Sequence, residues 1–394
     1  LAGLSSVARF PYDSACCMRS SRLLFCERCE DSMNLSFCLG CRNCSDCFGC
    51  SNLKNKKFCF LNEQLTEEEY KKRIAEIDLS DSRVVEEWRE KSEKIFDNAF
   101  RRAAYVIRSE AAVGDDIEDC RDVSGVTVRK SERAYDCFGI GQLGRDVMRF
   151  SYGGEVERCY ESTDVGHSSD CHFCVSTDKC INVEYSELLT NCENCFGCIG
   201  LKHKKFCVFN VQYAEEEYWS LVDEIKTAML ARGEYGEFFP YRASPFAYDL
   251  SHSGMMFPLL KTEVEHLGAR WYEPVVSADV EDAAVVPERL ADVTDDIVKL
   301  RFRCPETGRA YFFIPREIAL HREMNVALPR VHSIVNRIRR TQIYLPPRLY
   351  ERVCASCGIQ VHSKLSAEKS ANVLCGSCYE QVTLGEKPAP VSAA

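Results

Sequence analysis

"NCSDCFGCSNLKNKKFCF", residues 43–60, returns as "NCENCFGCIGLKHKKFCV" at residues 191–208, 148 positions later. All four Cys, the Phe-Gly pair and the Lys-Lys-Phe-Cys tail keep their places in both copies, so one local structure is built twice. The likeness continues downstream, where "FLNEQLTEEEYKKRIAEI" at 60–77 answers "VFNVQYAEEEYWSLVDEI" at 208–225. Tyr70, Ile74 and Ile77 in the first copy, and Tyr218, Leu221, Val222 and Ile225 in the second, fall at helical spacing. Each copy is therefore expected to end in an amphipathic helix. Thr66 with Glu69 makes a capping box, which Ala214 interrupts in the second copy.

A shorter rhythm runs inside each copy. Cys17, Cys26, Cys38, Cys47 and Cys59 follow one another in steps of nine, twelve, nine and twelve. Phe138, Phe150, Cys159, Cys171, Cys180, Cys192 and Leu201 step by twelve, nine, twelve, nine, twelve and nine. Segments this rich in Gly, Ser, Asn and Cys are poor formers of helix interiors. A stacked solenoid, in which the same position of each rung lies over the last, does produce a fixed period. The expected fold class is mainly β with helical inserts: a duplicated β-solenoid of about 21-residue rungs, followed by C-terminal zinc-ribbon modules. The Leu-x-x-Leu-x-Leu pattern of a leucine-rich repeat is missing.

The organisation follows. Residues 1–62 hold an N-terminal arm and the first solenoid block, 63–110 a helical insert, 111–213 the second block, and 214–274 a capping helix with an aromatic Pro/Gly segment. Residues 275–296 read as an acidic linker, 297–342 as a basic ribbon-like module, 343–382 as a zinc ribbon and 383–394 as a disordered tail.

At 394 residues the chain can bury several cores. Its 25 cysteines, an odd number, and the lack of any long apolar stretch argue for thiols used as ligands or small core residues in a reducing intracellular compartment, cytoplasm or organelle matrix. A basic N-terminal arm with Arg9, Arg19 and Arg22 leaves room for a removed presequence. Net charge is −10, yet residues 297–365 carry 13 Lys/Arg against 4 Asp/Glu. A basic block on an acidic body points to a partner.

The most specific motif is Cys354-Ala-Ser-Cys357-Gly with Cys375-Gly-Ser-Cys378, 17 residues between the pairs. Two such turns offer four thiolates to a tetrahedral zinc, and Gly358 permits the tight knuckle. The same spacing recurs as Cys26, Cys29, Cys47 and Cys50, and as Cys171, Cys174, Cys192 and Cys195. On 21-residue rungs each pair would lie over the next and could hold zinc between rungs. The competing reading is a column of small buried thiols, since free Cys is among the most buried residue types. "CPETG", residues 304–308, is a zinc knuckle with Thr307 where the second thiolate belongs; with only His332 downstream, it is expected to stand on its core alone.

Gly139-Ile-Gly141-Gln-Leu-Gly144 matches the dinucleotide fingerprint in letters but lacks its context, so turn glycines account for it better. Lys54, Lys56 and Lys57, with Lys202, Lys204 and Lys205, read as solvated rung edges. No paired carboxylates, nucleophile elbow or phosphate loop assembles a mechanism, so the chain is read as no enzyme.

"CFGCIGLKHKKFCVFNVQYAEEEY", "GEYGEFFP" with "SPFAYD", and "RLYERVCASCGIQVHSKLSAEKSANVLCGSCYEQ" together resemble an uncharacterised family of cysteine-rich bacterial proteins, often labelled CaiB/BaiF-like. The resemblance covers nearly the whole chain and implies cysteine-rich repeats followed by two zinc-ribbon units. This sequence departs in the first ribbon, where only Cys304 remains; Cys354, Cys357, Cys375 and Cys378 are the ligands carried over.

The expected function is a non-enzymatic, zinc-binding interaction protein that docks on a large assembly, a ribonucleoprotein such as a ribosome, through its basic C-terminal module. Arg301, Arg303, Arg309, Arg337, Arg339, Arg340 and Arg348, interleaved with Phe302, Tyr311, Phe312, Phe313 and Tyr344, would contact RNA phosphate. The alternative is a purely protein-binding scaffold subunit of a multisubunit complex. Neither requires a membrane span or a small-molecule substrate.

Overall fold

The computed structural model describes residues 9–107, 117–118, 123–128, 134–140, 147–153, 163–251, 253–254, 257–273, 284–344 and 349–384. The first block opens with five four-residue strands, β1 (Arg9–Tyr12), β2 (Ser21–Leu24), β3 (Met33–Ser36), β4 (Ser45–Phe48) and β5 (Lys57–Phe60). They pair in parallel in chain order, with Ser21 opposite Met33, Met33 opposite Ser45 and Ser45 opposite Lys57. Two further parallel ladders run through single bridges, Ala15 to Glu27 to Leu39 to Ser51, and Met18 to Glu30 to Arg42 to Lys54. Every ladder advances by the same twelve-position step.

This corrects the expected rung length. The hydrogen-bonded repeat is twelve positions long rather than twenty-one, and the steps of nine are three units of a finer period of three. From Asp13 to Leu61 nearly every third residue has φ near +50°, including Arg22, Asp31, Asn34, Asn43, Asp46, Asn52 and Asn55. The residue after each points inward, as Leu23, Cys26, Cys29, Ser32, Leu35, Cys38, Cys41, Cys44, Cys47 and Cys50 do, all fully or nearly fully buried. Left-handed backbone costs about 1–2 kcal/mol per residue outside Gly, Asn and Asp, which explains why those types crowd the corners. The corner side chains also bond up the stack: Asn34 Nδ2 donates to Asp46 Oδ1 at 3.0 Å and Asn43 Nδ2 to Asn55 Oδ1 at 2.7 Å.

A two-residue strand β6 (Glu63–Gln64) folds back antiparallel on β5 and closes the block. Helix α1 (Glu67–Ala75) follows, its capping box formed as expected: Thr66 Oγ1 accepts from Glu69 N, and the Glu69 carboxylate accepts from Thr66 N. Helix α2 (Ser82–Asn98) lays Trp88 across an aromatic column. Phe25 stacks on Phe37 at 4.7 Å, Phe48 on Phe60 at 5.7 Å, and Trp88 meets Phe37, Phe48 and Phe60 at 6.2, 4.6 and 5.9 Å.

After β7 (Arg101–Arg102), a pair β8 (Val106–Ile107) and β9 (Ile117–Glu118) leads to the parallel strands β10 (Val123–Val128), β11 (Ala134–Ile140), β12 (Val147–Gly153) and β13 (Thr163–Gly166). The fingerprint-like glycines begin at the end of β11; Gly141 and Gly144 lie outside the described residues. The twelve-step register then resumes through β14 (Ser169–His172), β15 (Val175–Asp178), β16 (Ile181–Glu184), β17 (Glu193–Phe196) and β18 (Lys205–Val208), with β19 (Val211–Gln212) turning back on β18. Helix α3 (Glu215–Arg232) packs Tyr218 and Val222 on Phe196 and Val208. Half of its capping box survives, the Glu217 carboxylate accepting from Ala214 N at 3.4 Å. The aromatic segment after it does for this block what Trp88 does for the first: Phe238 lies 6.4 Å from Phe173, and Phe239 6.2 Å from Tyr185.

A short helix α4 (Lys261–His266) precedes the C-terminal modules. The second half of the stretch read as an acidic linker is part of a core. Val286, Leu290 and Val293 are buried with Phe302, Cys304, Phe313 and Ile318. That core holds the hairpin β20 (Phe302–Arg303) and β21 (Ala310–Tyr311), helix α5 (Pro315–Met324) and helix α6 (Ser333–Tyr344). The last module comprises the antiparallel β22 (Tyr350–Val353) and β23 (Gln360–Ser363), strand β24 (Val373–Leu374) and helix α7 (Gly376–Thr383). The chain from 385 on lies outside the described residues.

Candidate metal centre

Cys354 ends the β22 strand region and begins a tight turn. Its N–H donates to Ile359 O at 2.8 Å, its carbonyl accepts from Gly358 N at 3.0 Å, and Gly358 takes φ +76°. That turn aims the next N–H groups at sulfur. Cys375 stands at the N-cap of α7, and its Sγ accepts from Cys378 N at 3.5 Å, while Cys375 N donates to Cys354 Sγ at 3.3 Å. The four sulfurs of Cys354, Cys357, Cys375 and Cys378 lie within 4.8 Å of one another, close enough to bind a metal ion. Cys357 and Cys375 Sγ are 3.8 Å apart. Zn–S bonds of about 2.3 Å arranged tetrahedrally set S···S edges of roughly 3.8 Å, so this pair is already at ligand spacing. Burial raises the Cys354 thiol, but the N–H groups of Cys357, Cys375 and Ser356 outweigh it and bring the thiol down to about 6.

The first hairpin repeats the turn without the ligands. Cys304 N donates to Arg309 O at 2.8 Å, Gly308 N to Cys304 O at 2.9 Å, and Gly308 has φ +67°. Cys304 is buried beside Phe302, Tyr311 and Phe313, so this module stands on packing, as its missing thiols imply.

The stacked cysteines are placed differently from their expected grouping. In the observed register Cys47 lies opposite Leu35 and Cys59, not over Cys26. Cys171 lies opposite Val183, which separates it from Cys195. Among the described residues only the C-terminal four form a cluster of three or more metal-donor groups. Cys26, Cys29, Cys50, Cys174 and Cys192 instead each donate Sγ–H to two carbonyls, at positions i−2 and i+9: Cys50 to Phe48 O at 3.3 Å and Cys59 O at 3.4 Å, Cys174 to His172 O at 3.3 Å and Val183 O at 3.2 Å. Ser32 and Ser186 occupy equivalent places and bond the same i−2 carbonyls. Burial pushes the Cys180 thiol up to about 12, which keeps it a donor. Small side chains with one weak donor suit an interior this narrow.

The four-cysteine cluster sits against the first block. β24 pairs in parallel with β7, Val373 opposite Arg101 and Leu374 opposite Arg102. From α7, immediately past Cys378, Tyr379 packs on Gly40 and its hydroxyl bonds Asn52 Oδ1 at 3.2 Å. Glu380 then accepts from Arg42 and Arg102 at 3.2 Å each and faces Lys54 at 3.7 Å. This docking was not legible in the sequence, because the pair Arg42 and Glu380 is separated by 338 residues.

The arginines of the basic module are largely committed within the chain. Arg339 bonds Glu306 at 2.8 Å, and Arg340 pairs with Asp13, which also takes Arg89. Arg303 donates to Gly308 O at 3.0 Å, Arg301 lies over the Phe312 ring at 4.7 Å, and Arg309 over the Tyr272 ring at 4.9 Å. Arg337 is exposed on α6, and Arg348 lies outside the described residues. No helix among the described residues is long and apolar enough to cross a membrane. Comparison of the chain with protein-family models, with curated proteins and with solved structures gave no match.

Proposed function

We propose that this chain is a non-enzymatic interaction scaffold: two β-solenoid blocks with coils of twelve, joined to a ribbon that a single zinc ion staples to the first block. The observation that carries this reading is the four-thiol cluster, whose helix α7 delivers Tyr379 and Glu380 onto Gly40, Asn52, Arg42 and Lys54. Four thiolates complete a tetrahedral shell and leave no coordination position for a substrate, so the ion acts on folding. Zinc is favoured over other ions because an all-sulfur tetrahedral set suits it. Three parallel ladders with a common step of twelve support the solenoid architecture, which offers a long rigid face to a partner.

A protein partner is favoured over RNA, since Arg339 and Arg340 are already engaged with carboxylates. The ribonucleoprotein reading keeps one specific support. Arg301 on Phe312 and Arg309 on Tyr272 are stacked pairs of the kind that meets unpaired bases. Affinity capture of the full chain with and without ribonuclease separates the two. Partners that survive ribonuclease support the scaffold; loss of every partner on digestion, with salt-sensitive RNA binding by the purified chain, replaces it with the ribonucleoprotein reading. Elemental analysis finding no zinc would remove the staple.

A further inference from the structure

The 148-position duplication makes each block a control for the other. In the first block the corner formed by Gly40, Ser51 and Asn52 lies under α7. Tyr379 packs on Gly40 and bonds Asn52, while Glu380 reaches across the same face to Arg42 and Lys54. The matching corner of the second block holds Leu188, Ile199 and Gly200. Leu188 is 55% exposed and Ile199 59%, and Val211, the counterpart of Glu63, is 53% exposed. A Cβ added at Gly200 would meet no atom within 4 Å, so among the described residues this corner stands open.

The backbone does not require these apolar side chains. Ser51 N donates to Asn62 Oδ1 at 2.8 Å and its carbonyl accepts from Asn62 Nδ2 at 3.1 Å; Ile199 makes the same two bonds with Asn210 at 2.8 and 2.9 Å. One coil is thus built with serine in one copy and isoleucine in the other. Leu188 has φ +57° where the first block has Gly40 at φ +62°, a left-handed conformation that leucine adopts only at a cost. The covered corner therefore carries small and polar residues, and the open one carries large apolar ones. Solvation alone would favour the reverse. Apolar side chains gathered on neighbouring coils of a rigid stack mark a surface that another molecule covers.

The charges on this face, and the occupant of its counterpart, indicate what that molecule presents. Arg42 becomes Thr190, but Lys54 is kept as Lys202, which is exposed and has no ion pair among the described residues. In the first block the occupant is a helix that turns Tyr379 to the corner and the adjacent Glu380 to the cations. The second block offers the same division, with an apolar margin at Leu188, Ile199 and Val211 and a cationic one at Lys202. Since α7 is already seated on the first block, a different helix must fill this place.

We propose that this face of the second block docks an amphipathic helix of a partner protein, which sets apolar side chains on Leu188, Ile199 and Val211 and a carboxylate beside Lys202. The proposal rests on the scaffold reading and names the class of partner that the scaffold holds.

The test is to pan a phage-displayed library of helical peptides against the purified, zinc-loaded full chain, and to measure the best synthetic peptide by fluorescence anisotropy. Enriched peptides should carry an apolar residue next to Asp or Glu on one face and bind one to one. Leu188→Gly combined with Ile199→Ser installs the first block's own residues on the same backbone, so the fold is kept, and should weaken binding at least tenfold. Lys202→Gln should weaken it several-fold and flatten its salt dependence. Ile181→Ser, which removes an exposed apolar side chain from a different corner, should leave it unchanged. Failure to enrich any peptide, or equal binding by the double variant, overturns the proposal. So does sedimentation showing a dimer of the native chain that the double variant dissolves, which would assign the face to a second copy. Because binding is read on the purified chain, these outcomes remove this face alone, and the ribonuclease result decides the scaffold reading independently.

Discussion

Cys375 serves two structures at once, as one corner of the four-sulfur cluster and as the N-cap of α7. Serine in its place removes the ligand while its hydroxyl still caps the helix, which separates the two roles. Cys375→Ser is therefore expected to lower bound metal from one ion per chain to near zero, read by elemental analysis. Cys47→Ser should retain one ion, because Cys47 sits in the repeat interior, where serine already fills other inward positions at Ser20, Ser32, Ser168 and Ser186. Retention of metal by Cys375→Ser, or its loss in Cys47→Ser, would show that the ligands have been misassigned. The Cys-x-x-Cys spacing made this cluster legible at once, since few other roles require two such pairs at that separation. The same spacing misled inside the repeats. There it is a by-product of an inward residue every third position, and an offset of twenty-one is one full repeat plus nine.

At the scale of elements, each aromatic column requires a cover. Trp88 on α2 closes the column of Phe37, Phe48 and Phe60 and is 8% exposed. Trp88→Ala should cost about 3–5 kcal/mol, measured as a fall in the denaturant midpoint with little change in bound metal. A loss under about 1 kcal/mol would mean that the column stands without its helix. The seam between α7 and the first block depends on Gly40, whose φ is +62° and where an added Cβ would come within 2.9 Å of the Tyr379 hydroxyl. Gly40→Ala should loosen α7 by about 1–2 kcal/mol through strain and lost contact. Faster hydrogen exchange confined to 376–383 checks it, and unchanged protection there would refute it. The helices and their faces were readable from 3.6-residue periodicity. The covers were not, because Trp88 and the Phe238–Phe239 pair reach columns that lie outside their own periodic pattern.

The whole molecule is held by contacts between distant segments, and its response to pH follows from one of them. His321 on α5 is buried, with Nδ1 bonded to Val326 O at 2.9 Å and its ring 5.0 Å from that of Tyr12 on β1. Burial lowers its proton affinity below the ordinary histidine value of 6.5, only partly offset by the carbonyls of Val326 and Ala327. On acidification the unfolded chain therefore takes the proton first. Stability is unaffected by this group above about pH 6.5 and declines as pH falls through that value toward the folded one. Urea midpoints between pH 8 and 5.5 should fall more in the native chain than in His321→Gln. Equal slopes would show that the imidazole charges without penalty. The same long-range logic redirects the basic module. Thirteen Lys/Arg in residues 297–365 suggested a free cationic surface, yet Arg322, Arg330, Arg339 and Arg340 pair with Asp295, Glu288, Glu306 and Asp13.

Spacing along the chain is enough to read the duplication, the β character of the repeats, the helices that close them and the four thiols placed to bind a metal. Each is written in local spacing, which backbone geometry converts directly into structure. Tertiary structure alone decided the length of the repeat, since nine and twelve are both multiples of three and only the hydrogen-bonded register selects twelve. It also decided the fate of the charges and of the buried thiols. Whether an arginine meets a carboxylate or solvent, and whether a sulfur meets a metal or a carbonyl, depends on neighbours that can lie hundreds of residues away along the chain, as Glu380 does from Arg42.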